Sequence, residues 1–144
     1  MDFTKILGWM EKKLPEEEPI ARDYMRNTVV SVAPQQTVGE AVDLMFQYDV
    51  HGVIVTENDR AIGVFSGYDV NRLIAKRKFH YDQKISEVMS SPAVTVDATT
   101  EVRKALKIML ANKYKRLPVV EEDKVVGLLA IADLAAALIA KTEE

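Results

Sequence analysis

Sliding the sequence against itself by 64 residues aligns 21–74 with 85–138 without a gap. Met25 falls on Met89, Val30 on Val94, Val32 on Val96, Val38 on Val102, Ala41 on Ala105, Met45 on Met109, Val55 on Val119, Asp59 on Asp123, Gly63 on Gly127 and Asp69 on Asp133. A chain built this way is a duplicated unit, and whatever fold one copy adopts the other adopts too. A copy of about fifty residues buries a sheet poorly by itself. The economical solution packs the two copies sheet to sheet by pseudo-twofold symmetry, with a ligand cleft between them.

The hydrophobic period changes in the same order within each copy. Val29 to Val32, mirrored by Ala93 to Val96, is a short apolar and β-branched run that suits a strand. Thr37-Val-Gly-Glu40 then supplies a capping box, and Val38, Ala41, Val42, Met45 and Phe46 recur at helical spacing. Val102, Ala105, Leu106, Met109 and Leu110 repeat that face. A hairpin follows, Gly52 to Thr56 and Ala61 to Ser66 around a polar turn, matched by Arg116 to Val120 and Val125 to Ala130. Closing helices are expected over Tyr68 to Lys78 and Ala132 to Lys141. Each copy therefore reads β-α-β-β-α, and the fold class is α+β. The first repeat is expected over 20–78 and the second over 85–141, joined by a linker at 79–84. That linker ends the basic, surface-lying stretch Ala75 to Lys84.

Residues 1–19 form an expected N-terminal amphipathic helix and linker. Phe3, Ile6, Leu7, Met10 and Leu14 make one stripe, ended by Pro15 and the Glu16–Glu18 run. Such a stripe packs on its own domain or on a second subunit, and its few cations argue against a membrane surface. Trp9 lies off the stripe and marks an additional contact. The segment also lacks the cationic and apolar regions of a secretory signal, so a cytoplasmic protein is expected. The longest apolar run, Val125 to Ala140, is interrupted by Gly127 and Asp133 and is short for a membrane span.

Composition narrows the chemistry. The 144 residues hold 19 Lys plus Arg against 22 Asp plus Glu, a net charge of −3, so no global field favours nucleic acid. Zero Cys removes disulfides, thiolate nucleophiles and zinc-thiolate sites, and the two histidines, His51 and His80, make a metal cluster or a His-centred triad improbable. No motif sets a paired acid, base or nucleophile beside a carboxylate, so catalytic residues, metal sites and an obligatory cofactor are not expected.

At the junction of hairpin and closing helix the copies read Gly63-Val-Phe-Ser66-Gly-Tyr-Asp69-Val70 and Gly127-Leu-Leu-Ala130-Ile-Ala-Asp133-Leu134. Read physically, Ser66 and Asp69 are a helix cap. The same geometry presents free amides to a phosphate and a carboxylate to ribose hydroxyls, so the two readings are compatible. With the duplication, the Arg116-Leu-Pro118-Val-Val strand and the Met25 and Met89 lead-ins, the pattern resembles a tandem pair of CBS domains, the regulatory Bateman module. The resemblance covers about residues 20–141.

The resemblance implies an adenosyl nucleotide, with AMP, ADP or ATP favoured, as a regulatory ligand for energy sensing. Carried onto this chain, Ser66 and Asp69 form one site with Val64 and Tyr68, completed by Ala93, Val94, Thr100, Ala105 and Arg116, with Lys115 assisting at phosphate. A weaker second site uses Asp133, Leu128 and Ala132 with Val29, Val30, Ala41 and Gly52, and with His51 at its mouth. His51 also reads as an ordinary edge histidine. Ala130 has no hydroxyl and Gly52 stands where the other copy has Arg116, so the second site is expected to be weak, empty or limited to an uncharged adenosyl group. The resemblance further implies a homodimer that signals to a separate, unidentified effector protein. Two other classes stay open: a ligand-free structural dimerisation module, and, less favoured, a nucleic-acid binder using residues 76–80 and 113–116.

Overall fold

The computed structural model describes residues 2–13 and 19–142. Leu14, Pro15 and the Glu16–Glu18 run of the expected N-terminal segment lie outside the described residues, as does the side chain of Phe3. In chain order the elements are α1 (Phe3–Lys13), α2 (Ala21–Tyr24), β1 (Ser31–Val32), α3 (Val38–Gln47), β2 (Gly52–Glu57), β3 (Arg60–Ser66), α4 (Gly67–Ala75), α5 (Ile85–Val88), β4 (Val96–Asp97), α6 (Val102–Asn112), β5 (Arg116–Glu121), β6 (Lys124–Ala130) and α7 (Ile131–Thr142). The fold is α+β with two three-stranded sheets, ordered β1-β2-β3 and β4-β5-β6.

The 64-residue offset seen in the sequence survives in the structure element by element. β1 lies parallel to β2, and β4 parallel to β5, while β2 and β3 form an antiparallel hairpin. Asn58 and Asp59, and likewise Glu122 and Asp123, all carry positive φ, the geometry of a tight two-residue turn that matches strand twist. The expected capping box forms: Glu40 N donates to Thr37 Oγ1 at 3.2 Å and Thr37 N donates to Glu40 Oε1 at 3.3 Å. Hydrogen bonds from Gln36 and from Thr37 hold the Glu40 carboxyl below the usual carboxylate range.

Several boundaries differ from the periodic reading. The opening strands are two residues each and sit at Ser31–Val32 and Val96–Asp97, with Val30 contributing only its carbonyl, which accepts from Ile54 N at 3.0 Å. α4 stops at Ala75, with Arg77 at positive φ just beyond it. Each repeat also opens with a four-residue helix, α2 or α5, too short to show an amphipathic period.

The chain divides into two compact units that cut across the repeats. One, the first-sheet unit, comprises Val29–Val94 with Asp123–Val125. The other, the second-sheet unit, takes the chain before Val29 together with Thr95–Glu122 and the chain from Val126 on. Each unit thus combines the body of one repeat with the lead-in of the other. Backbone hydrogen bonds enforce the exchange. In the second-sheet unit Ala21 N donates to Thr100 O at 2.8 Å, Arg22 N to Ala98 O at 3.0 Å and Val102 N to Pro19 O at 2.8 Å. In the first-sheet unit the equivalent bonds run from Ile85 N to Gln36 O at 2.8 Å, Ser86 N to Pro34 O at 2.9 Å and Val38 N to Gln83 O at 2.8 Å. The last bond of each set satisfies the first amide of α6 or α3, which no partner within its own helix can reach.

Glycine lets the lead-ins approach. A Cβ at Gly63 would stand 2.6 Å from Met89 Sδ, and one at Gly127 would stand 2.5 Å from Met25 Sδ. Val32, Val38, Ala41, Val53, Val55, Phe65, Leu73, Ile85 and Val88 form the core of the first-sheet unit. In the second-sheet unit α1 packs against α6 and α7, with Leu7 and Met10 of its stripe buried. Arg103 Nη1 lies 3.5 Å from Glu11 Oε1, which ties α6 to α1.

Candidate functional site

Asp69 is the third residue of α4, and Asp133 the third of α7, so each carboxylate sits in the first turn of a helix that follows directly on a strand. The first amide of each helix is already used: Gly67 N donates to His51 O, and Ile131 N to Lys115 O, both at 3.0 Å. The two carboxylates occupy equivalent places and have different surroundings.

Asp69 is 1% exposed, and among the described residues it is the one charged or polar side chain in the buried class. Burial of a carboxylate is tolerated only when its oxygens are saturated. Ser66 N donates to Oδ2 at 2.9 Å, and the Ser66 hydroxyl lies 3.3 Å from the same oxygen. Ser90 Oγ donates to Oδ1 at 2.6 Å, and Arg72 Nη2 donates to it at 3.3 Å while also reaching Val88 O at 2.9 Å. Of the capping expected of Ser66 and Asp69, the Asp69 half is present, its carboxylate accepting from Ser66 N, while the Ser66 side chain caps no helix amide; Ser90 and Arg72 join at the carboxylate.

Asp133 faces more solvent. Arg26 grips it with both prongs, Nε to Oδ2 and Nη2 to Oδ1, each at 3.0 Å. Arg116 stands half-buried in the same field. Its burial, followed by repulsion from Arg26, pushes its pKa down, and attraction to Asp133 opposes both. Arg26 is therefore the guanidinium bonded to Asp133, and Arg116 lies within electrostatic reach of both.

Ser90 and Arg26 are equivalent residues, each the second after a lead-in helix, and both hold the chain in the same way. Ser90 and Val64 exchange backbone hydrogen bonds at 2.9 Å in both directions. Arg26 and Leu128 do the same at 2.8 and 3.0 Å. Neither residue is singled out by the sequence, because serine and arginine share no chemistry that the repeat alignment would flag. Arg72 was within reach, as it stands three residues after Asp69 on one helix.

The residues grouped around Asp69 from the sequence distribute over both units. Val64, Ser66, Tyr68, Ala93 and Val94 belong with Asp69 in the first-sheet unit, and Thr100, Ala105, Lys115 and Arg116 belong to the second-sheet unit. Of the second grouping, Leu128, Ala132 and Asp133 lie in the second-sheet unit, and Val29, Val30, Ala41, His51 and Gly52 in the first. Tyr68 is 73% exposed, whereas Ala41 and Ala105 are fully buried in their helix faces. Among the described residues no group of three or more His, Asp or Glu side chains could hold a metal ion, and no helix is long and apolar enough to cross a membrane.

Comparison with known proteins places these features in a family. The CBS domain matches twice, over residues 21–76 and 85–140. The CBS domain-containing protein YhcV of Bacillus subtilis is 31% identical over 114 residues, covering 79% of this chain and 81% of that protein. An inosine-5'-monophosphate dehydrogenase of Methanocaldococcus jannaschii is 30% identical over 138 residues; the match takes in 89% of this chain and 27% of the enzyme's length. Among solved structures, an uncharacterized conserved protein from Pyrococcus horikoshii superposes with a TM-score of 0.77 at 27% identity, covering 85% of this chain and 94% of that one. A CBS domain pair solved in complex with methylthioadenosine and S-adenosyl-L-methionine has the same fold, with a TM-score of 0.77 at 17% identity, covering 86% of this chain and 98% of that one.

Proposed function

The chain belongs to the CBS domain family and carries two copies in tandem, and on that premise we propose that it is a regulatory module that binds an adenosyl nucleotide. AMP, ADP or ATP is favoured. The observation that carries this reading is the duplicated carboxylate, Asp69 and Asp133, fixed in the first turn of a helix in both units. Ribose offers two neighbouring hydroxyls to such a carboxylate, and the adjoining helix start favours a phosphate. The related CBS pair in complex with two adenosyl compounds supports the ligand class. Val64, Ser66, Tyr68, Ala93, Val94, Thr100, Ala105, Lys115 and Arg116 are the proposed surroundings of the Asp69 ligand, and Leu128, Ala132, Val29, Val30, Ala41, His51 and Gly52 those of the Asp133 ligand.

The role is non-catalytic. The dehydrogenase relative matches over only 27% of its length, so the match brings no claim on that enzyme's chemistry. Ligand binding instead shifts the packing of the repeats and, through it, a separate effector in the cytoplasm. Phe46 on α3 and Leu110 on α6 are equivalent and exposed, Phe46 at 89%, which favours a homodimer formed through helix faces. The same exposure, together with the complete internal satisfaction of Asp69, supports a second reading in which the carboxylates only cap helices and the chain is a dimerisation module.

A thermal-shift titration with adenosine, AMP, ADP, ATP, NAD and S-adenosylmethionine separates the two. A ligand that binds only the native state stabilises it by RT ln(1 + [L]/Kd), so a saturable shift for an adenosyl compound is expected. No shift with any of the six, in protein shown free of co-purified nucleotide, overturns the sensor reading in favour of the dimerisation module.

A further inference from the structure

The geometry points to Arg26 as the residue that sets ligand specificity on the Asp133 side, by making an anionic group a requirement for any ligand that takes the carboxylate. The inference rests on the reading that the motif carboxylates accept ribose hydroxyls. A ligand doing so at Asp133 must first break the two-pronged grip of Arg26 at 3.0 Å on each oxygen. The displaced guanidinium stays anchored at its backbone, because Arg26 and Leu128 remain paired in both directions. It is then left with its bonded counter-ion taken, in reach of the like charge of Arg116. A guanidinium deprived of its carboxylate is left uncompensated, and a phosphate on the ligand restores the balance with planar, two-pronged hydrogen bonds. An uncharged adenosyl compound offers no such return.

The Asp69 side lacks this demand. There the equivalent residue is Ser90, whose hydroxyl gives up Oδ1 without leaving a charge behind, and the nearby cation Arg72 keeps Val88 O as a second acceptor. Selectivity is therefore divided between the units: a nucleoside phosphate for Asp133, and tolerance of an uncharged adenosyl compound at Asp69. This reverses the ranking expected from the sequence, in which Ala130 and Gly52 left the Asp133 side without a phosphate partner. The missing charge comes from the lead-in of the first repeat, which the exchange of lead-ins brings to α7.

The test follows the side-chain Nε–H signals of Arg26 and Arg116 by NMR in the full chain, assigned with Arg26→Gln and Arg116→Gln, during titration with adenosine, AMP and inorganic phosphate. In the wild type, AMP moves both signals and binds about tenfold or more tighter than adenosine, the ratio one charge-assisted hydrogen bond supplies. Arg26→Gln brings the two affinities within about threefold of each other without weakening adenosine, and Arg26→Lys keeps most of the preference, since it retains the charge. An unchanged AMP-to-adenosine ratio in Arg26→Gln, or an equal loss of both ligands, overturns the inference and leaves the adenosyl reading standing. Equal binding of adenosine and AMP by the wild type does the same. If neither nucleoside compound binds but inorganic phosphate moves both signals saturably, and Arg26→Gln abolishes this, the adenosyl reading falls and the anion requirement stands. Silence toward phosphate as well overturns both.

Discussion

Replacing Asp69 by Ala removes far more stability than replacing Asp133, even though the two residues are equivalent by repeat. Asp69 is 1% exposed and accepts from Ser66 N, Ser90 Oγ and Arg72. Loss of a helix-cap bond costs about 1 kcal/mol. A hydroxyl donating to a buried carboxylate contributes about 1.5–3 kcal/mol, and the half-exposed Arg72 pair contributes less than about 1 kcal/mol. These terms share one carboxylate and do not add fully, so the expected loss is about 2–4 kcal/mol. At Asp133 the partner Arg26 is 57% exposed and the carboxylate 26%, and an exposed pair of this kind is worth about 0–1 kcal/mol. For a chain of this size each kcal/mol moves Tm by roughly 3–4 °C, giving a fall of about 6–16 °C for Asp69→Ala against at most about 4 °C for Asp133→Ala. Urea unfolding followed by circular dichroism measures both, with equal m-values as the condition for comparing midpoints. Equal losses in the two variants would refute the view that Asp69 is a saturated structural carboxylate and Asp133 a solvent-facing one.

Glycine substitutions give opposite outcomes according to what the new methyl meets. Gly63→Ala sets a Cβ 2.9 Å from the Ser90 carbonyl oxygen and Gly127→Ala sets one 2.7 Å from that of Arg26, so each destabilises by about 1–3 kcal/mol in urea unfolding. Gly8→Ala, whose Cβ meets nothing within 4 Å on α1, stabilises by about 0.5–1 kcal/mol in the same assay. The acid limb of stability also has identifiable sources. Glu40 is held below its ordinary value by hydrogen bonds from Gln36 and Thr37, and Asp97 by hydrogen bonds from Thr99. A carboxyl depressed on folding contributes stability above its unfolded pKa, near pH 4, and loses it as pH falls through the folded value. Unfolding free energy measured from pH 5 to pH 2 should therefore fall less steeply in Glu40→Gln/Asp97→Asn than in the wild type, and an unchanged slope would contradict the assignment.

The duplicated sequence made the larger architecture legible because burial repeats with the chain. Val38 and Val102, Ala41 and Ala105, and Val55 and Val119 are buried in equivalent places, as their alignment required. The capping box at Thr37 and Glu40 was legible for the same reason: both partners lie within one turn. What the sequence could not show is decided over long separations. The lead-ins 20–26 and 84–90 attach to the body of the opposite repeat through backbone hydrogen bonds, which carry no side-chain signature. Their helices, at four residues, are shorter than one amphipathic period. At the candidate site the carboxylates were legible as a pair because they are identical, and their partners were hidden because Ser90 and Arg26 differ.

That difference is where the two halves of a duplicated chain part company. Two equivalent carboxylates are made unequal with least disruption by a difference at a residue that touches the carboxylate without supporting the core. Positions 26 and 90 meet that condition: the backbone of each holds the lead-in to β6 or β3 whatever the side chain, and the side chain alone reaches the carboxylate. Because the lead-ins are exchanged, the residue that contacts one carboxylate belongs to the opening of the other repeat. From Ser90 the chain runs on to Thr95, the start of the second-sheet unit's own strand segment. A substitution at Ser90 therefore changes the partner of Asp69 while the backbone pairing of Ser90 with Val64 keeps the chain in place.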